Sequence, residues 1–121
     1  MRPALLIALM GAVACNPASS SPTTGLTGTV VRGPVTPVCR VDIPCDAPFS
    51  AGFIVERSGR QVAQFRSDSD GQFTVWLSPG GYRIIPGSDA PLLAPMLQAR
   101  AVEVGAEGLT SIHLEFDTGI R

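Results

Sequence analysis

Apolar and polar residues alternate along much of the chain with a period of two, which is typical of β-strands buried on one side. The alternation is clearest at residues 72–77, where Phe73, Val75 and Leu77 share one face. Turns rich in Gly and Pro separate seven such segments, at residues 26–31, 51–57, 61–67, 72–77, 82–85, 101–104 and 109–116. Because short strands at this spacing pack as two facing sheets, the pattern predicts an all-β, seven-stranded antiparallel β-sandwich over residues 25–121.

The first fourteen residues follow a different pattern, that of an export signal. One positive charge at Arg2 precedes the apolar run LLIALM at residues 5–10, and small residues follow that run. The apolar run is well short of the roughly 20 residues that a membrane-spanning helix needs. We therefore predict that residues 1–14 are a signal peptide and not a permanent membrane anchor.

The residues around Cys15 predict how the exported protein is held. The run AVAC at residues 12–15 resembles the bacterial lipoprotein box, and this resemblance implies a lipid on Cys15 that anchors the protein to a membrane. The same AVA also satisfies the A-x-A rule for a soluble secreted or periplasmic protein, so that alternative stays open. Residues 15–24 are rich in Ser, Thr and Pro and predict a polar tether. Asn16 favours the outer membrane, if the cell has one.

Two further cysteines lie in a Pro-bounded loop. With Cys15 set aside, Cys39 and Cys45 can pair with each other in an oxidising compartment. Their spacing differs from the Cys-x-x-Cys of redox enzymes, and two thiols lack the further ligands of a structural zinc site. The spacing favours a local structural disulfide.

Charge and residue content argue against several functions. The formal net charge is −1, and no basic stripe is present that would bind nucleic acid. The single histidine, His113, falls on the outward side of a strand, and no G-x-S-x-G motif occurs. The run DSDG at residues 68–71 has half of a calcium loop, but Pro79 stands where the bidentate glutamate belongs. We expect no enzyme activity, no cofactor and no metal site.

Two features predict recognition of a partner. Trp76 falls on the side opposite Phe73, where it is either exposed or covered by a loop. The Pro-broken apolar segment at residues 86–97 either covers one end of the sandwich or presents Leu92, Leu93 and Met96 to a partner. The predicted contact surface therefore comprises Trp76 and these three side chains.

The chain also resembles a known family. A Gly-x-Val step at residues 28–30 and the pattern DGxFxVxLxPGxY at residues 70–82 are similar to the carboxypeptidase regulatory-like domain. The resemblance covers about residues 25–121 and implies a seven-stranded sandwich related in shape to transthyretin. Such domains serve as accessory or surface modules. We therefore expect a non-enzymatic, lipid-anchored module of the bacterial cell envelope with a protein or glycan partner, or alternatively a soluble secreted carrier or inhibitor.

Overall fold

The strands begin and end close to the limits that the alternation predicts. The computed structural model describes residues 21–121, so the predicted signal peptide, Cys15 and the tether as far as residue 20 lie outside it. The described residues form a 3₁₀ helix at Pro95–Leu97 and eight strands: β1 (Gly25–Gly33), β2 (Ala47–Pro48), β3 (Gly52–Arg57), β4 (Arg60–Arg66), β5 (Gln72–Trp76), β6 (Gly80–Pro86), β7 (Arg100–Val104) and β8 (Leu109–Asp117). No helix in this part of the chain is long and apolar enough to cross a membrane.

The first sheet is built around β1. Strand β8 pairs with β1 along its whole length, while β5 pairs with residues 25–29 and the two-residue β2 with residues 31–32. Because β8 overlaps both of these stretches, β5 and β2 must follow one another along the opposite edge of β1. The pairing of β1 with β8 is parallel, which corrects the expectation of an entirely antiparallel sandwich. A parallel pair needs a long connection, and here the intervening strands β2 to β7 supply it.

The second sheet is antiparallel throughout, in the order β4-β3-β6-β7. Strands β3 and β4 form a hairpin closed by Ser58 and Gly59, both with positive φ, as a tight turn of this kind requires. A bulge after Val55 shifts the register of this pair. The predicted hairpin between residues 51–57 and 61–67 is therefore present, with its strands one residue from the predicted starts.

Apolar side chains from both sheets meet in one core. Leu26 and Val30 of β1 face Val55 and Ile84 of the second sheet, and all four are fully buried. The five phenylalanines of the chain form a continuous cluster with ring centroids 4.4–6.1 Å apart: Phe49, Phe53, Phe65, Phe73 and Phe116. The predicted all-β fold with two facing sheets is confirmed at this level.

The strand directions define two ends of the sandwich. The chain enters β1 at Gly25, beside Trp76 and Leu109, and we name this the proximal end. Strands β1 and β8 both run from there to the opposite, distal end. At a rise of about 3.3 Å per residue, nine-residue β1 separates the two ends by about 26 Å.

Candidate recognition surfaces

The loop at residues 34–46 lies at the distal end, between β1 and β2. Cys39 and Cys45 are joined by a disulfide with Cα atoms 5.4 Å apart, which confirms the predicted pairing. The Val35 N–H donates to the Cys45 carbonyl at 2.8 Å, so the loop folds back on itself. Its apolar side chains do not enter the core: Val38, Val41 and Ile43 are exposed, Val41 to 88%.

The Pro-broken segment lies at the same end and combines both of the roles considered for it. Leu92 is half-buried and packs against the core, so it covers the end of the sandwich. Leu93, Met96 and Leu97 are exposed, Leu97 to 85%. Packing of Leu92 against the core therefore holds the segment on the domain, while these three side chains point into solvent.

Gln98 ties this segment to the end of β8. Its side-chain nitrogen donates to the carbonyls of Leu93 (2.6 Å) and Asp117 (2.9 Å), and its side-chain oxygen accepts the Asp117 N–H at 2.8 Å. The Leu93 N–H also donates to the Asp117 carbonyl at 3.0 Å. Gln98 thus holds the segment at residues 86–97 to the end of β8, as the disulfide holds the loop at residues 34–46. We call the disulfide and the Gln98 hydrogen bonds the two staples of the distal end. No sequence motif distinguishes it from an ordinary polar loop residue.

The C-terminal residues connect the two loops. Thr118 donates its N–H to the Gly33 carbonyl (3.1 Å) and its hydroxyl to the Pro34 carbonyl (2.6 Å), where the disulfide loop begins. The adjacent Gly119 lies against Leu93 of the other loop. The two loops therefore flank the same short stretch of chain at the distal end.

Exposed apolar residues are concentrated on these two loops. Nine large hydrophobic residues are exposed among residues 21–121, and six of them belong to the two loops: Val38, Val41, Ile43, Leu93, Met96 and Leu97. We call these six residues the distal patch. Four of the six lie outside the predicted contact surface: Val38, Val41, Ile43 and Leu97. For the first three, apolar residues without any periodicity in and beside the Cys39–Cys45 loop were a readable signal.

Trp76 lies elsewhere. It is 52% exposed on the outer face of the first sheet, and its register partner is Gly25 at the proximal end. The predicted contact surface therefore separates into two places about 26 Å apart along the strands. Alternation shows to which side of a sheet a residue points, but it does not show at which end of the sandwich that residue lies.

Titratable groups in the described part of the chain are dispersed. His113 and Glu115 approach within 3.6 Å on the exposed face of β8, and no three His, Cys, Asp or Glu side chains among residues 21–121 are placed to hold a metal ion. The Asp68 carboxylate accepts the N–H groups of Asp70 and Gln72, both at 2.9 Å, so it shapes the turn before β5.

One ion pair stabilises the C-terminal residues at the distal end. The Arg121 guanidinium donates to the Asp117 carboxylate at 3.1 Å, and the Gly119 N–H donates to the same carboxylate at 2.8 Å. These hydrogen bonds favour the ionised form and hold the pKa of Asp117 below its ordinary value, while the carboxylate raises the pKa of Arg121. Both side chains are substantially exposed, so the pair orders the chain end more than it stabilises the fold.

No protein-family model matches the chain, and neither does any curated protein.

Proposed function

We propose that this protein is a non-enzymatic, lipid-anchored module of the bacterial cell envelope that binds a protein partner through the distal patch. The observation that carries the proposal is the concentration of six exposed apolar side chains on two stapled loops at one end of the sandwich. The domain itself is proposed to be of the carboxypeptidase regulatory-like, transthyretin-like kind, on the strength of the pattern at residues 70–82.

Energetics support binding at the distal patch. Burial of an exposed aliphatic side chain against a partner would contribute about 25 cal/mol of favourable free energy for each Å² of apolar surface removed from water. Soluble domains usually scatter such residues, and concentration on one surface is typical of interaction sites. The disulfide and the Gln98 hydrogen bonds restrict both loops before any partner arrives, which reduces the entropy lost on association.

The direction of the chain supports the anchored version of the proposal. Thr24 is buried at the proximal end, where its hydroxyl donates to the Leu77 carbonyl at 2.6 Å. The predicted tether of residues 15–24 reaches the sandwich at this end, and fully extended it spans at most about 35 Å. A lipid on Cys15 would hold the proximal end toward the membrane and present the distal patch outward.

The soluble carrier or inhibitor uses the same patch and differs only at Cys15. Metabolic labelling with palmitate separates the two versions. We expect label on the wild-type protein, none on Cys15→Ala, and release of that variant from the membrane fraction. An unlabelled wild-type protein that is exported normally would remove the anchored version and leave the soluble one.

Binding at the distal patch is tested with a matched pair of surface variants. Val41→Ser/Leu97→Ser removes two exposed side chains from the patch, and Val62→Ser removes an exposed aliphatic side chain from the edge strand β4. We expect chemical crosslinks to an envelope protein to disappear in the double variant and persist in Val62→Ser, with both variants folded by circular dichroism. Crosslinks that persist in the double variant would contradict the proposal.

A further inference from the structure

The outer face of the first sheet carries a second surface, distinct from the distal patch. Strands β5, β1 and β8 lie side by side, and their register aligns the outward side chains in rows. One row joins Thr74, Thr27 and Ser111, and the next joins Gln72, Thr29 and His113. These rows supply four hydroxyls, one amide and one imidazole on the same face.

The row at the proximal end of this face is different. It joins Trp76, Gly25 and Leu109. Gly25 contributes no side chain to this row, and the indole of Trp76 is half exposed. Trp76 follows Thr74 on the outer face, about 6.8 Å further along β5. One exposed aromatic ring thus lies next to the two rows of hydroxyl and amide side chains.

Hydrogen bonds fix the conformation of side chains in the polar rows. The hydroxyl of Thr27 lies 3.1 Å from that of Thr74 and donates to the Phe73 carbonyl at 3.2 Å, so the middle of the face is ordered. Five side chains of these rows line a shallow, open cleft together with Arg66 and Asp68: Thr27, Thr29, Gln72, Thr74 and Ser111.

Charge on this face is sparse and balanced. Arg66 and Asp68, which line the cleft, carry opposite charges. Outside the cleft, Glu115 lies 3.6 Å from His113 on the exposed face of β8. A nearly neutral, hydroxyl-rich surface gives no electrostatic attraction to polyanions or to anionic lipid. A protein partner would favour an apolar interface core, which this face offers only in the row at its proximal end.

We propose that this face binds a neutral oligosaccharide. The ring of a neutral sugar has an apolar C–H surface and a rim of hydroxyls. Its C–H groups match the electron-rich face of an exposed indole, here Trp76. Its hydroxyls match side chains that both donate and accept hydrogen bonds, here Thr29, Gln72, Thr74 and Ser111. The site needs neither the lipid on Cys15 nor the distal patch, so it stands or falls independently of the proposed function.

Trp76 is the single tryptophan of the chain, so intrinsic fluorescence reports on this site alone. The experiment titrates the exported protein with cellohexaose, laminarihexaose, maltoheptaose and xylohexaose, and with anionic alginate oligosaccharide for comparison. We expect at least one neutral oligosaccharide to shift the emission to shorter wavelength and to protect the indole from acrylamide quenching. An unchanged spectrum with all four, or a response to alginate alone, would overturn the proposal.

Variants then distinguish binding from a structural effect, with affinity measured by calorimetry. Trp76→Ala should weaken binding about tenfold, and Trp76→Phe should weaken it less because an aromatic ring is retained. Thr29→Val should weaken binding about fivefold, the usual size of one net hydrogen bond. Leu97→Ser, in the distal patch, should bind like the wild type. A Trp76-dependent crosslink to a protein without any oligosaccharide response would also overturn the proposal.

Discussion

The two ends of the sandwich are closed by different means. At the proximal end the chain turns tightly and the backbone closes the structure: the Leu77 N–H donates to the Thr24 carbonyl at 2.9 Å, and the Gly25 N–H to that of Gly108 at 3.3 Å. At the distal end two long loops, at residues 34–46 and 87–99, are held by a disulfide and by side-chain hydrogen bonds in addition to backbone hydrogen bonds. Tight turns leave few side chains free for recognition, whereas long stapled loops display many.

This difference links structure to function. The backbone hydrogen bonds at the proximal end form only when the strands keep their register. A larger side chain on a residue close to these bonds would push the strands apart. The distal loops can change their exposed side chains without disturbing the sheets, because the staples and not those side chains maintain the loop conformation. Substitutions of the residues whose backbone closes the proximal end should therefore reduce stability, and substitutions in the distal patch should reduce binding of a protein partner.

The largest expected effect is at the proximal end. A Cβ added to Gly25 would collide with the Val75 carbonyl oxygen and lie 2.9 Å from the Trp76 Cα, so β1 and β5 would have to separate. Gly25→Ala should lower the free energy of unfolding by about 3 kcal/mol. Gly108→Ala is the control, because Gly108 has φ +63° but no atom near its Cβ position, and about 1 kcal/mol is expected. Urea unfolding measures both, and equal losses would contradict the packing argument.

The next largest effect concerns two buried hydroxyls, one near each end of the sandwich, whose removal should destabilise the protein to different extents. Ser67, near the distal end, donates to the Phe49 carbonyl (2.8 Å) and accepts the Ala51 N–H (3.0 Å). Thr24 makes the single side-chain bond to Leu77. Ser67→Ala should cost about 2 kcal/mol and Thr24→Val about 1 kcal/mol, because the first substitution leaves two buried backbone groups unpaired. Urea unfolding measures both losses. A larger loss of stability for Thr24→Val than for Ser67→Ala would contradict the argument from unpaired backbone groups.

Removal of the disulfide, which lies beside the proposed binding surface, should have only a modest effect on stability. The closed loop is short, so the entropy model limits its contribution to about 2 kcal/mol. Cys39→Ala/Cys45→Ala should therefore remain folded and lose at most that amount, while crosslinking through the distal patch falls. If the double variant kept full crosslinking, the disulfide would have no role in ordering the patch.

The smallest effect concerns pH. Because the pKa of Asp117 is lowered in the folded protein, its contribution to stability is present above the ordinary carboxyl pKa, near 3.8, and is lost as pH falls through the lower folded value. As the pH falls below about 4, the thermal midpoint of the wild type should fall slightly more steeply than that of Asp117→Asn. Parallel curves for wild type and Asp117→Asn would show that the ion pair contributes nothing.

Much of the fold was predictable from local sequence, because alternation reports which residues are buried. Phe73, Val75 and Leu77 are buried as the pattern predicts. The parallel pairing of β1 with β8 was not predictable, since it depends on contacts between residues more than eighty positions apart. Strand β2, at Ala47–Pro48, is too short to produce any alternation.

The candidate surfaces were less predictable than the fold. Local pattern indicated that Leu93 and Met96 were unsuited to a strand and that Trp76 pointed away from the core. It could not indicate that Trp76 lies at the other end of the sandwich, because that follows from the directions of β1 and β5. Val41 was missed because an apolar residue in a disulfide loop gives no periodic signal.

Site-specific photocrosslinking tests the central claim most directly. A benzophenone amino acid at position 97 probes the distal patch, and the same amino acid at position 107 probes the proximal end, where Glu107 is also exposed. In intact cell envelopes we predict a discrete crosslinked protein from position 97 and none from position 107. A crosslink from position 107 alone, or the same product from both positions, would contradict the account.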